Sequence, residues 1–140
     1  MKFKYGTTSR ERLNTADARL QETFDNVLDL GLIDISILTG ERDQPTQDAL
    51  FEKGLSKLKW PNSKHNRRYG ERSKAVDAAP YINGAASFDA RHCAFLAGLV
   101  LAEGAHLGHS IRWGGNWDQD GEPITDQTFN DLVHYEIIEN

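Results

Sequence analysis

The chain is organised around two short segments, SKH at residues 63–65 and AVDAAPY at residues 75–81. Residues 74–81 are mainly small and apolar and are followed by Asn83-Gly84, a pattern that predicts a strand ending in a turn. His65 lies just before this strand and Asp77 lies within it. The segment therefore brings two potential metal-binding side chains close together.

A second cluster of such side chains lies near the C-terminus, in the sequence DLVHYE at residues 131–136. His134 supplies a second imidazole, which with His65 and Asp77 makes two histidines and one carboxylate. A catalytic zinc ion commonly takes three protein ligands of these types and leaves its fourth tetrahedral position for water. We therefore predict a zinc hydrolase with these three residues as metal ligands.

Three other polar residues have predicted roles beside the metal. Asp131 precedes His134 by three residues, so a turn before the strand is needed for both side chains to face one site. Placed there, Asp131 could take a proton from the attacking water and pass it to the leaving amine. Glu136 shares a strand face with His134 and could orient its imidazole. Arg42, after the first predicted strand, could bind a substrate carboxylate or stabilise an oxyanion.

Hydrophobic periodicity and turn residues predict three helices and four strands along the chain. The helices are expected at 16–30 with Asn14 or Thr15 as the N-cap, at 46–56, and at 88–107 with Ser87 as the N-cap. The strands are expected at 34–39, 74–81, 111–113 and 134–138. This order predicts an α+β fold, with a small, mainly antiparallel sheet packed against helices, in a single domain over 1–140.

Composition limits the function further. The net charge of −5 and the pI near 5.5 argue against nucleic-acid binding. Residues 52–74 are strongly basic and the chain beyond Arg112 is acidic, which suits an anionic substrate but equally suits solvated loops. The single cysteine, Cys93, rules out an internal disulfide and fits a reducing compartment. We see no secretory signal, and the longest apolar stretch, 93–102, is too short to span a bilayer.

Two further groups of polar residues are weaker candidates for cation binding. His106 and His109 are three residues apart and could form a surface metal site. Asp118 and Asp120 precede Gly121 as in the first part of a calcium loop, but the remaining ligands of such a loop are missing. A solvated turn is the better interpretation of this acidic loop.

The motifs together resemble the zinc D-Ala-D-Ala carboxypeptidase and L-alanyl-D-glutamate endopeptidase family, which includes single-domain phage endolysins. They are KFKYG at 2–6, GER at 40–42, SKH at 63–65, AVD at 75–77, WGGNW at 113–117 and DxxHxE at 131–136. The resemblance implies a D-Ala-D-Ala carboxypeptidase/hedgehog-like fold. It also implies that zinc is held by His65, Asp77 and His134.

The same resemblance implies that Asp131 is the catalytic base, that Arg42 contacts substrate or transition state, and that Ser63 helps to bind substrate. One segment departs from the family pattern, because five extra residues lengthen the loop 66–74. Gly70 is the candidate for the family glycine in this loop. The insertion bears on pocket shape, and so on bond specificity, more than on metal binding.

The function implied is a zinc-dependent peptidoglycan endopeptidase that cuts the L-alanyl-D-glutamate bond of the stem peptide. The alternatives are a D,D-carboxypeptidase that removes terminal D-alanine and a non-catalytic wall-binding domain of the same fold. We expect a monomer without stable membrane insertion. It would stay in the host cytoplasm until released to the cell wall in the periplasm at lysis.

Overall fold

An antiparallel sheet forms the centre of the structure, a computed structural model that describes residues 2–67, 71–125 and 127–139. Its main path runs in the order β1-β2-β5-β4, and the short β3 pairs with β2. The strands of the described chain are β1 (Ile35–Thr39), β2 (Ala75–Ile82), β3 (Ala85–Ala86), β4 (Ile111–Gly114) and β5 (Asp131–Ile137). Every pairing between these strands is antiparallel, so the predicted α+β fold class is confirmed.

The helices of the described chain are α1 (Thr7–Asn14), α2 (Ala18–Asp29), α3 (Gln44–Glu52) and α4 (Ala90–His106). The sequence did not predict α1, because this helix is mostly polar and Leu13 is its one buried residue. The short β3 was also missed. The predicted helix 46–56 is shifted, because Asp43 caps α3 through the Thr46 N–H.

The start of α2 differs from the prediction for a similar reason. Asp17, rather than Asn14 or Thr15, is the N-cap, and its carboxylate accepts the Arg19 N–H at 2.9 Å. Asn14 is the last residue of α1, and the Thr15 hydroxyl already donates to the Arg12 carbonyl. Neither residue is therefore available to cap α2.

Helix α4 also starts later than predicted. Asp89, rather than Ser87, is its N-cap and accepts the Arg91 N–H at 2.8 Å. The Ser87 hydroxyl accepts the Asp89 N–H and contacts His92 Nδ1 at 2.7 Å. Ser87 thus stabilises the turn before the helix.

None of the helices in the described chain is long and apolar enough to cross a bilayer.

The two faces of the sheet have different roles because side chains alternate along a strand. On one face, buried apolar residues of the strands and of α2 and α4 form the core, which includes Phe24, Ile37, Val76, Ala78, Leu96, Val100, Tyr135 and Ile137. Burying each large apolar side chain contributes about 1.5–3 kcal/mol. Alternation then directs Asp77, His134 and Glu136 to the opposite face. The core thereby determines which face carries the polar site.

Asp17 connects α2 to the residue before β2 through partly buried ionic contacts. Its carboxylate accepts hydrogen bonds from the Arg19 guanidinium and, at 2.9 Å, from Lys74 Nζ. Hydrogen bonding from Arg19, with a further contribution from Lys74, holds the pKa of Asp17 well below its usual range although burial opposes the shift. A carboxyl group with a lowered pKa stabilises the fold above its ordinary pKa and loses that contribution as the pH falls through the lowered value.

We predict that Asp17→Ala lowers the free energy of unfolding at pH 7 by about 1–2 kcal/mol, the usual cost of removing an N-cap. The difference from the wild type should shrink as the pH falls below the ordinary pKa of aspartate, because the wild type then loses the same ion pairs. Urea unfolding over a pH series measures both effects. Asp25→Ala, which removes a half-exposed ion pair with Arg10, is the control and should cost less. Equal costs for the two variants would contradict the prediction.

Candidate metal centre

Strand pairing and one loop contact bring the three predicted ligands together. Asp77 on β2 lies directly opposite His134 on β5 in the antiparallel register. His65 lies in the loop between α3 and β2, and its carbonyl accepts the Arg42 N–H at 2.8 Å. Its ring is held to the end of β1 because His65 Nδ1 lies 2.9 Å from the Gly40 carbonyl.

The three side chains converge on one point. His65 Nε2 lies 3.2 Å from Asp77 Oδ1 and 3.3 Å from His134 Nδ1, and His134 Nδ1 lies 3.3 Å from Asp77 Oδ1. Zinc bonds to nitrogen and oxygen are about 2.0–2.1 Å, so ligand atoms in a tetrahedral site lie about 3.3–3.4 Å apart. The triangle therefore has the edge lengths of one face of such a site. It is the one group of three His, Cys, Asp or Glu side chains within the described residues that could hold a metal.

The hydrogen bonds around the two imidazoles determine which nitrogen faces the site. Gly40 offers a carbonyl oxygen to His65 Nδ1, so this nitrogen carries the proton and Nε2 presents its lone pair. Glu136 Oε1 lies 2.9 Å from His134 Nε2, which leaves His134 Nδ1 to the site. Partners of this kind orient metal-binding histidines and make them more basic.

The charges around the triangle suit a cation. Burial would raise the pKa of Asp77, but the contacts of its carboxylate with the imidazoles of His134 and His65 outweigh burial and hold that pKa well below the usual range. Burial would likewise lower the pKa of His134, but Asp77 and Glu136 raise it to about 9. The two carboxylates thus favour a positive charge on the ring, which a bound metal ion can replace.

Glu136 is itself held by two cations. Its Oε2 lies 2.7 Å from Arg112 Nη2 and 3.0 Å from Lys64 Nζ. Burial raises the pKa of Glu136, but hydrogen bonds from His134, Arg112 and Lys64 outweigh it and lower the pKa to about 2. Glu136 therefore remains an anion that can keep His134 in one orientation.

Asp131 faces the same cleft, but not through the turn that the sequence predicted. It is the first residue of β5, and the pairing of β4 with β5 shifts between Trp113 and Gly114 so that Gly114 lies opposite Asp131. A Cβ atom at Gly114 would overlap the Asp131 carbonyl, so glycine permits this close approach. The irregular pairing, rather than a turn before the strand, places Asp131 and His134 in one cleft. Burial, with the nearby charge of Asp77, raises the pKa of the Asp131 carboxyl.

Arg42 and Ser63 line the cleft as well. Arg42 Nη1 donates to Gln47 Oε1 at 2.9 Å, and its Nη2 lies 3.8 Å from Asp77 Oδ2. The guanidinium is therefore fixed beside the triangle of ligand atoms. The Ser63 hydroxyl accepts the His65 N–H at 3.2 Å, so this residue also shapes the turn that carries His65.

The cleft has a volume of about 700 Å³ and walls of different composition. One wall is the loop after α3, where Leu55 is largely exposed. The other wall is aromatic: Trp117 stacks on Phe129 with ring centroids 6.1 Å apart, and the Trp117 ring lies 5.5 Å from that of His134. Such a cleft can hold an extended peptide across the ligand triangle.

Sequence reasoning missed several residues that support the site. Arg112 lies opposite Glu136 in the β4–β5 register, so correct strand pairing could have identified it. Lys64 lies in a loop directly before His65, where strand pairing gives no signal. Gly40 is the first residue of the GER motif, but the contact of its carbonyl with His65 is made by the backbone and leaves no signal in the sequence. Gln47 resembles a surface residue of a polar helix, yet it is fully buried beside Arg42.

The weaker candidates are not brought together in the same way. His109 Nε2 pairs with Glu22 at 2.8 Å, and His106 joins no group of three metal-binding side chains in the described part of the chain. Asp118 and Asp120 are exposed, and their carboxylates accept backbone N–H groups of the acidic loop itself, as in a solvated turn. Gly70, the candidate for the family glycine, lies outside the described residues.

Comparisons with known proteins show which peptidases this chain is similar to. The sequence model of a family described as phage L-alanyl-D-glutamate peptidase matches residues 1–138. The chain is 31% identical over 123 residues to an L-alanyl-D-glutamate peptidase of Escherichia phage T5, which covers 87% of each chain. The fold is similar to the crystal structure of the Serratia marcescens L-Ala D-Glu endopeptidase ChiX, with a TM-score of 0.74 and 22% identity over 96% of this chain and 89% of that one.

Proposed function

The chain belongs to the phage L-alanyl-D-glutamate peptidase family, and on that premise we propose that it uses zinc to hydrolyse the L-alanyl-D-glutamate bond of the peptidoglycan stem peptide. It is a peptidoglycan hydrolase, as the family assignment states. The observation that carries the zinc proposal is the triangle of ligand atoms with 3.2 and 3.3 Å edges. Its size and its two-histidine, one-carboxylate composition suit zinc.

His65, Asp77 and His134 would hold the ion through the atoms that already converge. When bound, zinc supplies Lewis acidity that polarises the scissile carbonyl and makes water a better nucleophile. The contacts with Gly40 and Glu136 orient the two rings so that His65 Nε2 and His134 Nδ1 face the site. The protein therefore does not need to rearrange these rings to accept the metal.

Asp131 is proposed as the proton carrier of the reaction. Hydrolysis adds a water oxygen to the alanyl carbonyl carbon, breaks the carbon–nitrogen bond and requires a proton on the departing amine of D-glutamate. A carboxylate that takes the proton of the water can supply it to that amine. The raised pKa of Asp131 suits this exchange, since it makes the group a stronger base than an ordinary aspartate.

Arg42 and Ser63 are proposed to contact the substrate. Because Gln47 fixes the Arg42 guanidinium beside the ligand triangle, Arg42 can stabilise negative charge on the carbonyl oxygen of the scissile bond. Ser63 presents its hydroxyl at the edge of the same cleft, where it can bond to the peptide backbone. We further propose that the enzyme acts as a monomer and reaches the wall from the host cytoplasm at lysis, in keeping with a phage enzyme.

Mass spectrometry of purified peptidoglycan digested by the zinc-loaded protein tests the proposal, with Asp131→Ala as the control. The expected products are stem-peptide fragments that begin with D-glutamate and are absent from the control digest. Release of free D-alanine alone would instead establish a D,D-carboxypeptidase. If the folded, zinc-loaded protein gave no products, a catalytic role on this substrate would be excluded in favour of wall binding.

We predict that Glu136→Gln weakens zinc binding about 10- to 100-fold, the usual effect of losing an anionic partner of a metal-binding histidine. The amide can still contact His134, but it loses the charge held by Arg112 and Lys64. Competition with a chromophoric zinc chelator measures the affinity. Glu122→Gln, which removes an exposed charge outside the cleft, should leave the affinity unchanged. Equal affinities for wild type and Glu136→Gln would show that Glu136 does not support the metal ligand.

A further inference from the structure

A substrate cut between L-alanine and D-glutamate carries a negative charge next to the scissile bond. Glutamate has two carboxyl groups, and a peptide that continues through one of them leaves the other free. That free carboxylate belongs to the leaving half of the substrate. A cation in the cleft that is not already committed to a protein carboxylate could recognise it.

Four cationic side chains among the described residues line the cleft: Arg42, Lys57, Lys64 and Arg112. Lys64 and Arg112 both bind Glu136, and Lys64 Nζ also donates to the Ile137 carbonyl at 2.8 Å. Lys64 and Arg112 are therefore committed to Glu136, the carboxylate that orients His134.

Arg42 is held at the metal end of the cleft by Gln47 and lies beside Asp77. Arg42 is thus already paired with a protein carboxylate, and the proposed function assigns it to the carbonyl oxygen of the scissile bond. Arg42, Lys64 and Arg112 are therefore not available to bind a carboxylate on the leaving half of the substrate.

Lys57 is different, because no ion pair to a carboxylate is found for it within the described chain. Its ammonium group lies over the Phe129 ring, 4.9 Å from the centroid. Phe129 belongs to the aromatic wall that reaches His134 through Trp117. The aromatic wall thus holds an exposed cation over the cleft.

Resting on the proposed function, we infer that Lys57 recognises the free carboxylate of the D-glutamyl residue and makes the enzyme prefer substrates in which this group is charged. The flexible stem of lysine lets its ammonium group move from the ring to the carboxylate. Lys57 is thus a specificity residue of the cleft. It takes no part in bond cleavage, so it should act mainly on substrate binding.

Two synthetic peptides test this inference: one contains L-alanyl-D-glutamate with its free carboxylate, and the other has that carboxylate replaced by an amide. We expect the wild type to cleave the charged peptide with the higher kcat/KM. Lys57→Ala should lower kcat/KM for the charged peptide by about 10-fold or more, mainly through KM. Lys57→Ala should change kcat/KM for the amide peptide much less, so the ratio of kcat/KM for the charged peptide to that for the amide peptide should approach one. Lys57→Arg should retain the preference for the charged peptide.

Lys59→Ala is the matched control, because Lys59 also lies over an aromatic ring, that of Phe51, but does not line the cleft. It should retain the wild-type ratio. A wild type that cleaves both peptides equally well, or a ratio unchanged by Lys57→Ala, would overturn the inference and leave the proposed function standing. A wild type that cleaves neither peptide would overturn the proposed function, and the inference with it.

Discussion

His65→Ala should bind almost no zinc after dialysis and should lose activity by about 10³-fold or more, since in the proposed mechanism the metal would both polarise the scissile carbonyl and activate the water. The variant removes one corner of the ligand triangle and leaves two protein ligands. His134→Ala should give the same result by removing another corner. Metal analysis by mass spectrometry, combined with the rate of stem-peptide cleavage, measures both effects.

His106→Ala is the control for this experiment, because His106 is exposed at the end of α4 and lies outside the cleft. It should retain zinc and activity. Circular dichroism and thermal unfolding establish that the variants are folded. One equivalent of zinc in a folded His65→Ala protein would remove His65 from the ligand set.

Asp131→Asn should keep zinc and lose activity by about 10²- to 10⁴-fold, the usual contribution of a general acid–base residue. Asparagine has nearly the same shape as aspartate but cannot accept the proton of the attacking water. Asp131 is not a member of the proposed ligand triangle, so the zinc content should match that of the wild type. Zinc stoichiometry and kcat, measured on the same preparation, separate these two roles.

Asp29→Asn is the control for Asp131→Asn, because it removes one carboxylate charge from the exposed end of α2. It should leave the zinc stoichiometry and kcat unchanged. Loss of zinc from Asp131→Asn would make Asp131 a ligand rather than a base. Full activity of the zinc-loaded variant would exclude Asp131 as the proton carrier and require another residue of the cleft to carry the proton.

The sequence determined the fold class and the types of residue in the site. Local patterns sufficed for α2, α4 and the main strands, because periodicity and β-branched side chains report burial directly. Helix starts were less certain, since Asn14, Thr15 and Asp17 can all act as N-caps. Only the folded chain shows that Thr15 is engaged with Arg12 and Glu41, which leaves Asp17 to cap α2.

The tertiary structure decided how the site works in detail. The sequence singled out His65, Asp77 and His134 as candidate ligands. The β2–β5 register places Asp77 opposite His134, and the contact of His65 with Gly40 brings His65 Nε2 within 3.3 Å of both side chains. The irregular β4–β5 pairing turns Asp131 into the cleft, and long-range contacts place Arg112 on Glu136. Such contacts join residues far apart in the chain, and their energy depends on complete packing of the sheet. Local sequence patterns therefore determine which residues are available, whereas the packed sheet determines which atoms meet.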